Sequence, residues 1–389
     1  MKKLLVIIAT IIFLVSFTNE TIASSENSTM SQDEIISSQK DSLNISKFIE
    51  EAQKYTSNTF KELNIGDLLN SAISGNIDNK LLGKSILNLL GKETIVSIKV
   101  IVSIIVIIII HSVLKSISEG LENKGIAQIT YYVQYILIVT LVMSNFSNVI
   151  TMVKDSVNNL VGFSNSLIPL LMTLILSTGS IVSVNILQPV LLFIITFIGN
   201  FINTVIIPLT LVSTALSIVS KISDRIQLDN LSKFFKSSVV WILGVVLTLF
   251  VGLVSLEGSL SSTVDGITAK TTKAAVSSFI PVVGKILGDA VDTVIGCTTI
   301  LKNAVGIVGV IVVIGICILP IIKLVLLMTT YYIGSAVCQP IADKKIIDLL
   351  SQMGDTFKIL LAILCSMSVM IIIGTTLVIK ISNSGLMYR

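Results

Sequence analysis

From about Ile95 to Ile381 the apolar residues of this chain fall into runs long enough to cross a bilayer. Leu167–Val184, Val239–Leu256, Ala304–Pro320 and Ile359–Ile379 carry no charged side chain. A hydrocarbon core of about 30 Å takes roughly 20 apolar residues of helix, and a water-soluble core has no use for so many such runs. Backbone N–H and C=O groups in lipid must pair within their own segment, so the runs are helices. The chain therefore reads as all-α: a polytopic transmembrane bundle of about six to eight spans, with a small helical extracytoplasmic region at its N-terminus.

Composition agrees. A mean hydropathy of +0.94 with 13% charged residues is far outside the globular range. The net charge of +4 is small and dispersed, and no basic stripe with interleaved aromatics is present, which excludes nucleic acid as a partner. Cys297, Cys317, Cys338 and Cys365 lie far apart in or beside apolar runs, without Cys-x-x-Cys or metal spacing, and read as small buried hydrophobes.

Residues 1–23 read as a secretory signal peptide. Lys2 and Lys3 precede the apolar Leu4–Phe17, and Thr-Ile-Ala before Ser24 puts small residues where a signal peptidase reads. An uncleaved anchor is the alternative; either way Ser24 onward starts outside the cytoplasm. Residues 24–94 form an extracytoplasmic amphipathic region. Ile45, Phe48, Ile49, Ala52 and Tyr55 recur at helical spacing among Lys47, Glu50, Glu51 and Lys54, and Leu68, Leu69 and Leu81–Leu90 repeat the pattern. These helices either lie on the membrane or offer a docking surface.

The membrane domain covers residues 95–383. Its first span, Ile95–Leu114, carries Lys99 and His111 near its two ends, where snorkelling accounts for both. Tyr131, Tyr132 and Tyr135 open the next apolar run at a position suited to the headgroup level. Residues 221–238 hold Lys221, Arg225, Lys233 and Lys236 against Asp224 and Asp229; the positive-inside tendency makes them a cytoplasmic amphipathic loop lying along the membrane. Counting crossings from an exported Ser24 then requires an odd number between Leu167 and Val219. Pro169, Pro189 and Pro208 in that stretch point to three short helices, or one span with a re-entrant pair. Residues 257–303 are rich in small residues and interrupted at Pro281, and Pro320 is expected to kink or end the first helix of Ala304–Ala342.

Chemistry is sparse. No Gly-x-x-x-x-Gly-Lys-Ser/Thr loop occurs, so no P-loop nucleotide site is expected, and one histidine disfavours His-based metal sites and a Ser-His-Asp triad. Asp289 and Asp292, three apart, fit a solvated helix face or pairing with Lys285 better than a cation site. Neither an enzyme nor a cofactor is called for.

In the second half the residues become recognisable as a series. Phe279-Ile-Pro-Val-Val-Gly284, then Asp289 and Asp292, Leu301-Lys-Asn303 with Gly306 and Gly309, Pro320, Lys323 and Gln339-Pro340 follow one another in order. This series resembles the stage III sporulation protein AE family of endospore-forming bacteria. The abundant Ile, Lys and Asn would suit a low-GC source such as a clostridium. The resemblance implies a multi-pass protein of the mother-cell membrane surrounding the forespore. Its implied partners are the lipid bilayer, the other stage III A operon proteins and a forespore protein, and its implied role is the permease-like part of a channel or transport platform needed for late forespore development. No catalytic motif comes with it.

Two functions are carried forward. One is a non-enzymatic integral component of that sporulation complex. The other is a stand-alone secondary transporter for a small solute, motivated by the Pro- and Asn-interrupted helices of Leu167–Val219. A membrane-embedded protease would need paired acidic residues or a Ser/His pair inside spans, and neither occurs. Candidate site residues are those of the series: Pro281 and Gly284 at a bend, Asp289 and Asp292 toward a polar lumen or partner, Lys302, Asn303, Pro320, Gln339 and Pro340 as motif positions, and Lys323 as a cation that pairs with one of the two aspartates.

Overall fold

A computed structural model describes residues 32–57, 64–76, 124–178, 180–222, 227–279 and 283–387, with scattered helical positions between 91 and 117. Within 257–292 and beyond 380 it describes backbone alone. The expected signal peptide, His111, Pro281 and the Leu81–Leu90 pattern lie outside the described residues. Every regular element among those described is helical.

Three short helices come first: α1 (Gln32–Ser42), α2 (Ile45–Thr56) and α3 (Ile65–Ile73). Asn44 takes a left-handed φ of 53° between α1 and α2, a conformation asparagine tolerates. The Asn64 side chain caps α3 by accepting from the Gly66 N–H at 2.8 Å. Ile45, Phe48, Ala52 and Thr56 on α2, and Ile65, Leu68 and Leu69 on α3, bury the apolar stripes expected from their spacing.

The body is built from α4 (Lys124–Ser177), a rod formed by α5 (Ile181–Phe201), a π-helical segment (Ile202–Ile206) and α6 (Ile207–Ile222), then α7 (Asp229–Phe279), α8 (Val283–Cys338) and α9 (Lys344–Met387). Five helices among the described residues are long and apolar enough to cross a membrane: Tyr135–Ser177, Val184–Lys221, Asp229–Leu256, Thr293–Cys338 and Lys344–Lys380. This is an all-α membrane bundle, as the apolar runs require.

The boundaries differ from expectation in several places. Leu167–Val219 is neither three short helices nor a re-entrant pair: α4 continues to Ser177, and one rod runs from Ile181 to Ile222. Pro169 and Pro189 sit inside helices, and the irregularity is the π segment just before Pro208. Counting crossings failed because it assumed one bilayer thickness per run. At 1.5 Å per residue the 54 residues of α4 extend about 81 Å. Pro320 likewise does not end its helix, which runs to Cys338. From Asp229 onward the expected amphipathic loop is the opening of α7. The described part of α7 ends at Phe279 and that of α8 begins at Val283.

Helices α8 and α9 form an antiparallel pair joined by the turn at Gln339–Ala342. Its rungs are Tyr332 Oη donating to Asp355 at 2.7 Å, Ser368 Oγ donating to Cys317 Sγ at 2.8 Å, and Lys302 Nζ donating to the Ile379 carbonyl at 3.0 Å. Helix α4 packs on this pair, with Phe357 between Phe146 (6.1 Å) and Tyr331 (5.2 Å). Two glycines let α8 approach its neighbours. A Cβ at Gly309 would stand 2.7 Å from Leu167 of α4, and one at Gly306 would collide with Ile379 of α9. Helices α1–α3 dock on α4 and α8: Phe163 lies 6.1 Å from Phe48 and 5.9 Å from Tyr55, and Gln39 Nε2 donates to Thr298 Oγ1 at 2.8 Å.

Candidate functional site: polar groups inside a membrane body

In a bundle this apolar, each side-chain N or O away from water needs a partner, so the polar groups mark where the helices are tied or where another ligand belongs. The structure gathers them in three places.

The first is at the end of the α8–α9 pair next to α1. Thr298 and Lys302, one helical turn apart, are both completely buried. The Lys302 ammonium donates to the Ile379 carbonyl. Asn303, half-buried beside it, has a buried Oδ1 with no hydrogen-bond donor, and so does Gln39 at its Oε1. Two residues of the predicted series, Lys302 and Asn303, therefore stand at the junction of the N-terminal helices with the body.

The second is where α6, α7 and α9 meet. Ser213 Oγ donates to the Ser232 carbonyl at 3.0 Å, and Ser232 Oγ returns a bond to the Ser213 carbonyl at 2.8 Å. Ser217 shares a hydrogen bond with Ser232 through their hydroxyls, and Thr214 shares one with Thr356 at 3.2 Å. Below this, Lys221 pairs with Asp229 at 2.7 Å and Asp348 at 3.5 Å, and Lys236 Nζ donates to the Gln352 carbonyl at 3.2 Å. Sequence reasoning missed this cluster. Its signal was present: Thr210, Ser213, Thr214 and Ser217 recur at helical spacing inside an otherwise apolar run.

The third is an exposed seam between α4 and the rod, at α5 and the π segment. Asn203 Nδ2 donates to Asn158 Oδ1 at 2.8 Å, and Thr196 Oγ1 to Asn165 Oδ1 at 3.4 Å. Asn203 Oδ1 is buried and has no donor.

The rest of the predicted series is dispersed. Gly284, Asp289 and Asp292 lie in the first turns of α8, whereas Lys323 lies 31 positions beyond Asp292 on the same helix, about 46 Å along its axis. The expected pairing of Lys323 with an aspartate of the series is therefore ruled out within one chain. Pro320 is buried inside α8, and Gln339 and Pro340 are exposed in the turn before α9. Tyr135 is no headgroup anchor: it is buried, and its Oη donates to the Ile218 carbonyl at 2.9 Å. Among the described residues no three His, Cys, Asp or Glu side chains converge as metal ligands would. The thiols are free; Cys297, Cys317 and Cys338 are buried and Cys365 is half-buried.

A helical body tied together by polar contacts at these depths can be set beside known proteins. The family model described as stage III sporulation protein AE matches residues 63–382, which covers α3 and the body helices to within the last turns of α9. The stage III sporulation protein AE of Bacillus subtilis (strain 168) is 30% identical over 306 residues, covering 79% of this chain and 77% of that protein. No solved structure matches. With the match spanning the whole membrane body, the chain belongs to the stage III sporulation protein AE family.

Proposed function

We propose that this chain is a non-enzymatic integral membrane component of the channel or transport complex that links mother cell and forespore during sporulation. In this reading it sits in the mother-cell membrane around the forespore. It works there with the other stage III A operon proteins and a forespore partner. The observation that carries the proposal is the extent of the family match, which runs through the five membrane-length helices rather than an appended domain. The polar groups described above fit that role, because among the described residues hydroxyls, lysines and amides tie helices to one another. An in-frame deletion in the sporulating host should leave vegetative growth unchanged and stop development after engulfment. Heat-resistant spores should fall to background and return with the intact gene. Normal spore yield from the deletion strain would overturn the proposal.

The π segment Ile202–Ile206 favours a second reading, a secondary transporter for a small solute, because π-helical turns in membrane-length helices often mark functional positions. Ion-coupled solute uptake by the purified chain in liposomes would support this reading, and its absence across ion gradients would remove it.

A further inference from the structure

Four body helices carry charge-free stretches of one bilayer thickness: residues 156–177 of α4, 237–256 of α7, 303–322 of α8 and 359–379 of α9. Each is about 30 Å long. Contacts between the helices fix their relative depth. Leu171 and Leu167 of α4 stand against Gly306 and Gly309 of α8, and that antiparallel register, carried 17 residues along both helices, brings Lys154 level with Lys323. On α9, Asp355 is bonded to Tyr332 and Ile379 to Lys302, which sets Lys358 about 8 Å from the same level. Lys236 of α7 reaches the Gln352 carbonyl and Phe250 stands beside Gly374, so Trp241, the sole tryptophan, lies within a turn of Lys358. On the rod, Asn203 meets Asn158 and Ile218 meets Tyr135, so this depth falls at the end of the π segment, beside Pro208.

Three lysines and a tryptophan therefore share one depth. Trp241 is 70% exposed, Lys358 is exposed, and Lys154 and Lys323 are half-buried. Among the described residues none of the three ammonium groups is held in an ion pair. Asp155 sits beside Lys154, and Asp355, one turn beyond Lys358, is bonded by Tyr332. On one side of this level Phe193, Phe197, Leu249 and Leu253 are 50–70% exposed, and Asn158 and Asn165 are bonded to Asn203 and Thr196, as amides are between membrane helices. Helices α1–α3 cover α4 and α8 on that side, and their outward Lys47, Glu50 and Lys54 keep lipid off that flank alone. On the other side lie the Lys221 ion pairs, the serine cluster and the Tyr332–Asp355 bond. Ile136, Leu137, Ile333 and Val337 are 50–59% exposed there too, but hydrocarbon reaching them would have to take up the exposed Lys233 and Lys344 at the same depth.

We infer that Lys154, Lys323, Lys358 and Trp241 form a headgroup belt whose ammonium groups hold the phosphates of anionic phospholipid in the cytoplasmic leaflet. Beyond the belt the α8–α9 pair stands about 22 Å out of the membrane. A phosphodiester layer suits these groups because it is anionic and lies in one plane, at the level where lysine and indole are both stable. Charge gives the side: Lys221, Lys233, Lys236, Lys344 and Lys345 lie beyond the belt, and α1–α3 dock toward the opposite end. The inference goes beyond both functional readings and holds under either. It also gives the irregularity of the rod a position, with α5 in lipid, α6 outside it, and the π segment between them.

The single tryptophan makes the unmodified full-length chain its own depth probe. In bilayers, Trp241 fluorescence should be quenched about threefold more by a spin label on the lipid headgroup than by one at the acyl-chain end. Thr140→Cys and Ser147→Cys, in the projecting part of α4, should react with a membrane-impermeant maleimide only after cells are permeabilised. Phe197→Cys and Leu249→Cys should react in neither case, read against a parent chain whose own thiols are buried or half-buried. The thermal midpoint of the parent should rise with the phosphatidylglycerol content of the vesicles. That rise should fall by about half or more when Lys154→Gln, Lys323→Gln and Lys358→Gln are combined. Stronger quenching from the acyl-chain end, or a parent midpoint indifferent to phosphatidylglycerol, would overturn the inference without reference to any variant. Labelling of Thr140→Cys or Ser147→Cys in unbroken cells, or of neither after permeabilisation, would overturn it as well. So would an equal rise from soluble glycerol phosphate in neutral bilayers, which would mean an adventitious ion only. None of these readouts depends on spore yield or solute uptake.

Discussion

The ammonium of Lys302 is removed from solvent, and its bond to the Ile379 carbonyl ties α8 to the last turns of α9. The family resemblance drew attention to this position, but its burial was not legible, because a lysine at the edge of an apolar run normally extends to the interface. Two contributions can be separated by substitution. Lys302→Met keeps most of the stem and loses the hydrogen bond, so it should lower the stability of the detergent-solubilised protein by about 1 kcal/mol. Lys302→Ala also opens a cavity and should cost roughly 2–4 kcal/mol. Thermal unfolding of both variants checks the order; equal losses would mean that the hydrogen bond alone sets the role of this side chain. The serines at 213, 217 and 232 were overlooked for a related reason. Ser213 and Ser217 are unremarkable residues in an apolar run, Ser232 lies in a charged segment, and only the rotation of α6 against α7 brings them together.

Helix type could be read directly from the chain, and helix ends could not. Apolar runs dictate helices because lipid offers the backbone no other partner, yet nothing local says how far a helix continues beyond the hydrocarbon. Proline was an unreliable guide: Pro169, Pro189 and Pro320 are all accommodated inside helices. Close approach between helices was partly visible, since Gly306 and Gly309 belong to the recognised series, but their neighbours were not. With Leu167 only 2.7 Å from the site of a Cβ, Gly309→Val must push α4 from α8. The expected loss is about 1–3 kcal/mol, the usual cost of overpacking. Gly244→Ala is the matched control, because a Cβ there meets nothing within 4 Å. Unfolding midpoints in one detergent compare the two, and similar shifts would remove the claim that this interface needs glycine.

Taken as a whole, the molecule joins a long apolar body to a small amphipathic region by packing α1–α3 on α8 and by an aromatic contact set on α4. Phe48, Tyr55 and Phe163 form its centre, with Gln39 and Thr298 at its edge. Phe48→Ala should weaken docking by roughly 3 kcal/mol. The undocked population should then rise by about a hundredfold, seen as faster limited proteolysis of α1–α3 while the body stays intact. An unchanged cleavage rate would mean that the N-terminal helices are held by other contacts. Membrane class, helical structure and the amphipathic character of α2 were already decided along the chain, because hydropathy and its period are properties of neighbouring residues. The meeting of Lys302 with Ile379 and the serine cluster were decided only by tertiary structure. They depend on the rotation and register of helices up to 142 residues apart, as Thr214 and Thr356 are, and no local pattern encodes those quantities.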